Sequence, residues 1–185
     1  MKTGYMTAWL DLAPELQALM ANMRGNWRNA LRKALADPPV LRFSSRHADI
    51  DDFTKVYLEN RKIHRHSTPS ARLVKCLSEA FGRDVRLFRA MEHRETVASS
   101  LFPRHGRSAI YYLSWTTERG RALNAVHFIL WEAIRTLRGD GFHWLNLDGN
   151  NARARSCPVQ AGSRRALRIL QRDVALTRVL ATLHA

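Results

Sequence analysis

The chain has 185 residues, of which 45% are apolar. This length and composition fit one domain with its own hydrophobic core and exclude a disordered polymer. The formal net charge of +14 attracts polyanions, such as tRNA, other nucleic acid, anionic lipid or a phosphorylated cofactor, without selecting among them. It is equally typical of a basic protein from an arginine-rich, high-GC genome.

Hydrophobic periodicity predicts two strands and three helices in the first half of the chain. The strands are residues 7–12, which end before Pro14, and residues 40–43. The first helix begins at residue 15 and is stopped by Asp37-Pro-Pro39, because proline cannot continue a helix. The other two helices cover residues 49–65 and 70–81.

The second half begins with three consecutive strands, 85–90, 95–102 and 109–115, joined by short polar turns that are typical of an antiparallel meander. A helix over 122–137 and a strand over 142–147 follow. We expect the helix to pack on the sheet through Val126, Leu130 and Ile134. Because three strands are consecutive, a simple alternating Rossmann pattern is excluded. The predicted class is α/β, with a mixed, mostly antiparallel sheet flanked by helices.

The loop before the 122–137 helix has the composition of an anion site. The segment Glu118-Arg-Gly-Arg-Ala122 places two guanidinium groups and one glycine at a helix start, where backbone N–H groups are unpaired. The glycine would let the backbone approach a phosphate closely. The alternative is a solvated turn whose glycine serves only a positive φ.

The order of elements around this loop resembles the Gcn5-related N-acetyltransferase (GNAT) fold. In that fold a loop of pattern Gln/Arg-x-x-Gly-x-Gly/Ala holds the pyrophosphate of acetyl-CoA. Gly120 and Ala122 match its last two fixed positions, whereas Thr117 stands where glutamine or arginine is expected. The resemblance implies that Thr117, Arg119, Gly120, Arg121 and Ala122 bind the cofactor.

A closer resemblance is to the Fem-type branch of that fold, which builds peptidoglycan interpeptide bridges from aminoacyl-tRNA. The similar segments are Trp9-Leu-Asp-Leu12, Trp27-Arg-Asn-Ala-Leu-Arg-Lys-Ala34, Leu130-Trp-Glu-Ala-Ile134 with Gly141, and Leu145-Asn-Leu-Asp-Gly149. The resemblance implies a GNAT-like acyltransferase domain over residues 1–150. Fem-type enzymes usually carry two such domains, and this chain has the length of one.

Residues 151–185 form a basic, arginine-rich tail that departs from the family pattern, in which the last strand is followed by a segment close to Phe-Lys-x-Gly-Leu-Gly-Gly. Codons for Cys157-Pro-Val-Gln-Ala-Gly-Ser163 can be chosen so that the frame one base later reads Ala-Arg-Phe-Lys-Arg-Gly. We therefore hypothesise a frameshifted tail that adds little to the core. We expect removal of residues 163–185 to change stability by less than about 1 kcal/mol. The competing interpretation is a genuine basic helix that binds nucleic acid.

Catalytic candidates follow from the fold that the resemblance implies. Amine acylation needs a polarised carbonyl and a proton path. In this fold the cofactor enters where central strands splay apart, so the polar residues Tyr112, Ser114, His143 and Asp148 would line the cleft. Each also has a structural interpretation: a half-buried sheet residue for Tyr112, a surface imidazole for His143, and a turn cap for Asp148.

The sequence thus supports an N-acyltransferase that moves an acetyl or aminoacyl group to an amine-bearing acceptor. The donor would be acetyl-CoA or another acyl-CoA, with aminoacyl-tRNA as the alternative. Two further interpretations stay open: a basic nucleic-acid-binding module, and an inactive truncated remnant of an acyltransferase. Cys76 and Cys157 match no ligand spacing, so no metal site is implied. No segment has the pattern of a signal peptide or a membrane span, which favours a cytoplasmic location.

Overall fold

The computed structural model describes residues 7–64, 69–149 and 167–170. Its elements in chain order are β1 Thr7–Asp11, α1 Leu16–Ala21, α2 Gly25–Ala36, β2 Val40–Ser44, α3 His47–His64, α4 Ala71–Phe81, β3 Val85–Glu92, β4 Glu95–His105, β5 Ser108–Ile110, β6 Leu113–Thr116, α5 Glu118–Ala122, α6 Ala125–Gly139, β7 Trp144–Gly149 and β8 Leu167–Leu170. A single 3₁₀ turn, Gly82–Asp84, joins α4 to β3.

The strands form one sheet in the order β2-β3-β4-β5-β7-β1-β8, and β6 pairs with β4 beyond the end of β5. Among the described strands, β5 and β7 form the one parallel pair, and the other ladders are antiparallel. Helices cover both faces of this sheet. The predicted mixed, mostly antiparallel α/β architecture is therefore confirmed.

Alternating side chains of the central strands fill two cores, one on each face of the sheet. On β3, Phe88 contributes to the core under α1, α2 and α6, while Leu87 contributes to the core under α3 and α4. Strand side chains point alternately to opposite faces, so a strand that is apolar at successive positions is buried on both sides. The helix α6 shares the first core with α2, and its Ile134 is fully buried.

Two predicted elements are each split in two, and a third is preceded by a short helix where a loop was predicted. The first helix breaks after Ala21, where Met23 leaves the helix to bury its side chain in the core and α2 restarts at Gly25. The helix predicted over 122–137 is α6, preceded by the short α5. Between them Asn124 has a left-handed φ of 54°, a conformation that asparagine tolerates better than most residues. The strand predicted over 109–115 is divided into β5 and β6, for a reason given below.

The contacts of α6 are broader than the predicted apolar stripe. Leu130 and Ile134 are buried as expected, but Val126 is only partly buried. Phe128 and Ile129 are buried as well, since the sheet covers one side of the helix and α2 covers another. A helix enclosed in this way is apolar around most of its circumference.

The tail predicted over 151–185 lies outside the described residues except for β8. This strand pairs antiparallel with β1, with Thr7 opposite Leu170 and Leu10 opposite Leu167. These four residues are therefore a strand and not part of a helix. They place β1 between two neighbours, β7 and β8.

Candidate functional site

The central strands separate after Ile110. Up to that residue β5 lies between β4 and β7, pairing with β7 from Ser108 to Ile110. The N–H of Tyr111 still donates to the Asn146 carbonyl of β7, over 2.8 Å, but the next N–H, of Tyr112, donates to Leu101 of β4, over 3.0 Å. From there β6 follows β4, while β7 continues along β1. A gap therefore opens between β6 and the last residues of β7.

A break in side-chain alternation accompanies this separation. Tyr111 packs against the core under α6, whereas Tyr112 and Leu113 both belong to the core under α3 and α4. Two successive side chains on one face interrupt a regular ladder, as a bulge does, and bend the strand. This irregularity is why the predicted single strand is observed as β5 and β6.

Three hydroxyl groups meet on the α6 side of the sheet at this point. The Oγ atoms of Ser100 and Ser114 lie 2.8 Å apart, on directly opposite residues of β4 and β6. Burial raises the pKa of the Tyr111 phenol, and hydrogen bonding from Ser114 and Ser100 lowers it by less. Tyr111 thus stays protonated at neutral pH and keeps a proton to donate.

Of these three residues, only Ser114 was predicted from the sequence as a catalytic candidate. Ser100 is fully buried, and it adjoins another buried serine, Ser99, in the buried stretch 97–103 of β4, which is otherwise apolar. Paired serines inside a buried strand are the signal that could have found it, since buried polar groups need partners. Tyr111 carried no such signal, because the bulge that turns it toward Ser114 is a tertiary feature.

Tyr112, which was predicted to be catalytic, lies on the opposite face of the sheet and is partly buried against the α3–α4 core. Trp115, three residues later, contacts the same core. Its indole Nε1 is buried and has no hydrogen-bond partner in the described part of the chain. Burying a hydrogen-bond donor without a partner costs free energy, because the donor loses its bond to water. The α3–α4 side of the strand separation therefore offers one free donor.

The segment before α6 is held against β4. The Thr117 side chain caps α5, accepting from Gly120 N over 3.0 Å and donating to the Val97 carbonyl over 3.1 Å. Gly120 is buried, and a Cβ there would lie 2.5 Å from Thr116 Oγ1 and 2.9 Å from the Val97 carbonyl carbon. Its φ is not positive, so the solvated-turn explanation is wrong. Here glycine is required by packing against the sheet.

The two arginines of this segment differ in how they are engaged. Arg119 makes a bidentate pair with the Glu92 carboxylate, with distances of 2.7 and 2.6 Å. The pair raises the pKa of Arg119 and lowers that of Glu92. Arg121 donates one bond to the Thr116 carbonyl and is exposed, as is the neighbouring Ala122. Arg121 is the more available of the two charges.

The other two predicted catalytic residues, His143 and Asp148, lie near opposite ends of β7. His143 precedes this strand and is exposed, with its Nε2 3.3 Å from Arg107 Nη1. Asp148 is near the other end, where β7 has separated from β6. Five residues of extended chain span roughly 16 Å, so His143 lies far from Asp148. The structure thus brings Ser114 to the opening, with Asp148 on the facing strand, and leaves His143 apart.

Two features are absent from residues 7–64, 69–149 and 167–170. No group of three or more His, Cys, Asp or Glu side chains there is arranged to hold a metal ion. Within the same ranges, none of the helices combines the length and hydrophobicity needed to cross a bilayer.

Known proteins share parts of this sequence and this fold. Residues 21–154 match the sequence family described as an acetyltransferase (GNAT) domain. No curated protein matches the sequence at a significant level. Among solved structures, the crystal structure of FemX is similar with a TM-score of 0.70 at 12% sequence identity, over 83% of this chain and 55% of FemX.

Two other structures are similar at lower scores. The C-terminal domain of a putative lysylphosphatidylglycerol synthetase from Agrobacterium fabrum has a TM-score of 0.54 at 14% identity, over 78% of this chain and 46% of its own. A conserved protein of unknown function from Bacteroides thetaiotaomicron has a TM-score of 0.53 at 11% identity, over 79% of this chain and 51% of its own. The chain spans about half the length of these structures. At such identities the likeness is one of fold, whereas the sequence match covers more than half of the chain and shows that the chain belongs to the GNAT acetyltransferase-domain family.

Proposed function

We propose that this domain transfers an acyl group, acetyl or aminoacyl, to an amine-bearing acceptor in the gap between β6 and β7. The observation that carries the proposal is the hydroxyl cluster of Tyr111, Ser100 and Ser114 at the point where the strands separate. An acyltransferase needs a cleft in which a carbonyl is polarised and a leaving group receives a proton. A separated pair of parallel strands exposes backbone groups that the ladder no longer uses.

The cluster supplies a proton donor beside the gap. In acyl transfer a neutral amine attacks the donor carbonyl, the bond to the leaving group breaks, and that group takes up a proton. We assign the donation to the Tyr111 hydroxyl, with Ser114 and Ser100 orienting it. Asp148, on the facing strand, is assigned to receive the proton that the amine loses.

The segment 117–122 fits donor phosphates by charge and not as a backbone cradle. Its glycine packs on Val97, Thr117 N-caps α5, and the Gly120 N–H is already bonded. An acyl-CoA or an aminoacyl-tRNA would therefore meet Arg121 first, and Arg119 only by competition with Glu92. Both donors carry phosphates, so the site does not distinguish them. When bound, either would supply an activated acyl carbonyl.

The test combines binding with transfer. The full chain is mixed with acetyl-CoA, CoA or bulk tRNA, and its melting temperature is followed, since a ligand that binds only the native state raises it. Transfer from radiolabelled acetyl-CoA and from charged bulk tRNA to a panel of small amines and amino sugars is then measured. A donor that raises the melting temperature and loses its acyl group supports the proposal. No shift with any donor, together with salt-sensitive binding to random duplex, would favour a nucleic-acid-binding module instead.

We also propose that residues 151–185 are a frameshifted segment. The support is the recoverable Ala-Arg-Phe-Lys-Arg-Gly reading described above, and the check is the nucleotide sequence of the gene. Codons for Cys157 to Ser163 that do not permit this reading one base later would contradict it. The inactive remnant remains the outcome expected if the shifted frame is real and transfer is absent.

A further inference from the structure

The outer surface of α1 and α2 contains an open groove of about 460 Å³. Its walls are mainly aliphatic, with two guanidinium groups at one side. The lining residues are Leu16, Gln17, Met20, Ala21, Arg28, Arg32 and Trp131. Leu16 and Met20 are partly exposed, whereas Trp131 is only 6% exposed, so the accessible surface of the groove is aliphatic and not aromatic.

A basic stripe runs along the same side of α2. Arg24, Arg28 and Arg32 follow at intervals of four residues, which places them on one face of the helix, and α2 contains no acidic residue. Arg28 donates to the Ala21 carbonyl and Arg32 to the Asn29 side chain. In the described part of the chain neither has a carboxylate partner, although six other arginines do. A guanidinium has five donors, so most of their capacity is unused.

We propose that the α1–α2 groove docks on an anionic phospholipid surface. The phosphate groups would meet Arg28 and Arg32, and glycerol and acyl methylenes would lie against Leu16 and Met20. Aliphatic walls beside guanidinium groups are the pattern of helices that bind at the membrane interface. Binding of single-stranded RNA depends on exposed aromatic rings on which bases stack, and the one aromatic ring here is covered. Charge complementarity together with the aliphatic wall therefore favours lipid.

The proposal uses no residue assigned to acyl transfer, so the two can fail separately. The experiment measures co-sedimentation of the full chain with vesicles of phosphatidylcholine, with and without phosphatidylglycerol. Each basic side chain near an anionic surface strengthens binding about fivefold, so Arg28→Gln with Arg32→Gln should weaken it about thirtyfold. The matched control is Arg42→Gln with Arg72→Gln, two exposed arginines on other elements, which should bind far more strongly than the groove variant. Met20→Gln tests the aliphatic wall and should weaken binding without changing the net charge.

Vesicle binding by the wild type and the variants either supports or overturns the lipid-docking proposal. Binding that requires phosphatidylglycerol, weakens with salt and is lost in the groove variant supports the proposal. Arg32→Gln alone, at an exposed position, gives the answer if the double variant does not fold. Equal binding by the groove and control variants overturns the proposal, as does equal binding to both kinds of vesicle. It is also overturned if the two arginines are needed for binding random RNA or for self-association while vesicles are not bound.

Discussion

Gly120 of α5 lies directly against the backbone of Val97 in β4, with no room between them for a Cβ atom. The same carbonyl of Val97 accepts the N–H of Thr117 over 2.9 Å. This contact fixes where the chain leaves the sheet and turns into α6. It also means that a side chain at Gly120 would disturb the fold before it disturbed any ligand.

Gly120→Ala should therefore destabilise the protein by about 2–3 kcal/mol, because the added methyl group meets backbone atoms that cannot rotate away. Urea unfolding of the two proteins measures this difference. Gly139→Ala is the control, since a Cβ there meets nothing within 4 Å. That change lies in a helix and should stabilise by about 0.5–1 kcal/mol. Equal stability of wild type and Gly120→Ala would contradict the packing role.

The Arg119–Glu92 pair predicts opposite effects from changing its two members. If donor phosphates compete with the carboxylate, Glu92→Gln releases the guanidinium and should tighten binding of acetyl-CoA or tRNA, whereas Arg119→Gln should weaken it. Arg121→Gln should weaken it more, because no carboxylate in the described part of the chain holds this arginine. Titrations at low and at high salt measure these changes. Weaker binding by both Arg119→Gln and Glu92→Gln would show that the pair acts structurally.

Tyr111→Phe should reduce acyl transfer by about 100-fold, the lower range for removal of a general acid, with the donor dissociation constant little changed. Tyr112→Phe is the matched control and should retain activity, because its ring lies on the other face of the sheet. Ultraviolet titration of wild type and Tyr111→Phe gives a second readout. The one phenol that titrates in wild type and not in the variant is that of Tyr111, and it should ionise above the ordinary tyrosine pKa of 10.0. Equal losses for the two tyrosine variants would remove Tyr111 from the reaction.

His127 predicts a pH dependence of stability. Burial lowers the pKa of this imidazole, which lies with its ring centre 5.6 Å from that of Trp27. The unfolded chain then takes up a proton at a higher pH than the folded chain does. The stability that the neutral imidazole contributes is therefore fully present above its ordinary pKa of 6.5, and it is lost as the pH falls below that value. Urea unfolding across this range should show a shallower decline for His127→Phe than for wild type, and parallel curves would contradict the assignment.

Removal of residues 163–185 tests the strand β8. The sequence alone favours a small effect, but the deletion takes away the whole ladder between β8 and β1. A hydrogen bond contributes about 1 kcal/mol net, so a loss of about 2–4 kcal/mol is expected. Chemical unfolding of the shortened chain, compared with the full chain, gives the value. A change below about 1 kcal/mol would instead favour a tail that adds little to the core.

The sequence was sufficient to predict the elements with strong hydrophobic periodicity, such as β3, β4 and α4. Burial on one or both faces of such an element leaves a regular pattern of apolar residues. It was insufficient where the chain changes direction inside an apparently regular segment. The strand predicted over 109–115 has no polar break, yet neighbouring strands pull its two halves apart. Because of that separation Tyr111, and not Tyr112, lies beside Ser114 and Ser100. In the same way, the sequence could not show that Arg119 is paired with Glu92, because the two residues are 27 positions apart.

The position of β1 in the sheet has a consequence for synthesis on the ribosome. Of the described strands this one is synthesised first, but the neighbours it pairs with, β7 and β8, are synthesised more than 130 residues later. Until β7 emerges, the apolar side chains of Ala8 and Leu10 have no sheet to join. Such long sequence separation slows folding, and an unpaired apolar strand invites association with other chains. The nascent chain should therefore depend on a chaperone from the emergence of β1 until the emergence of β7.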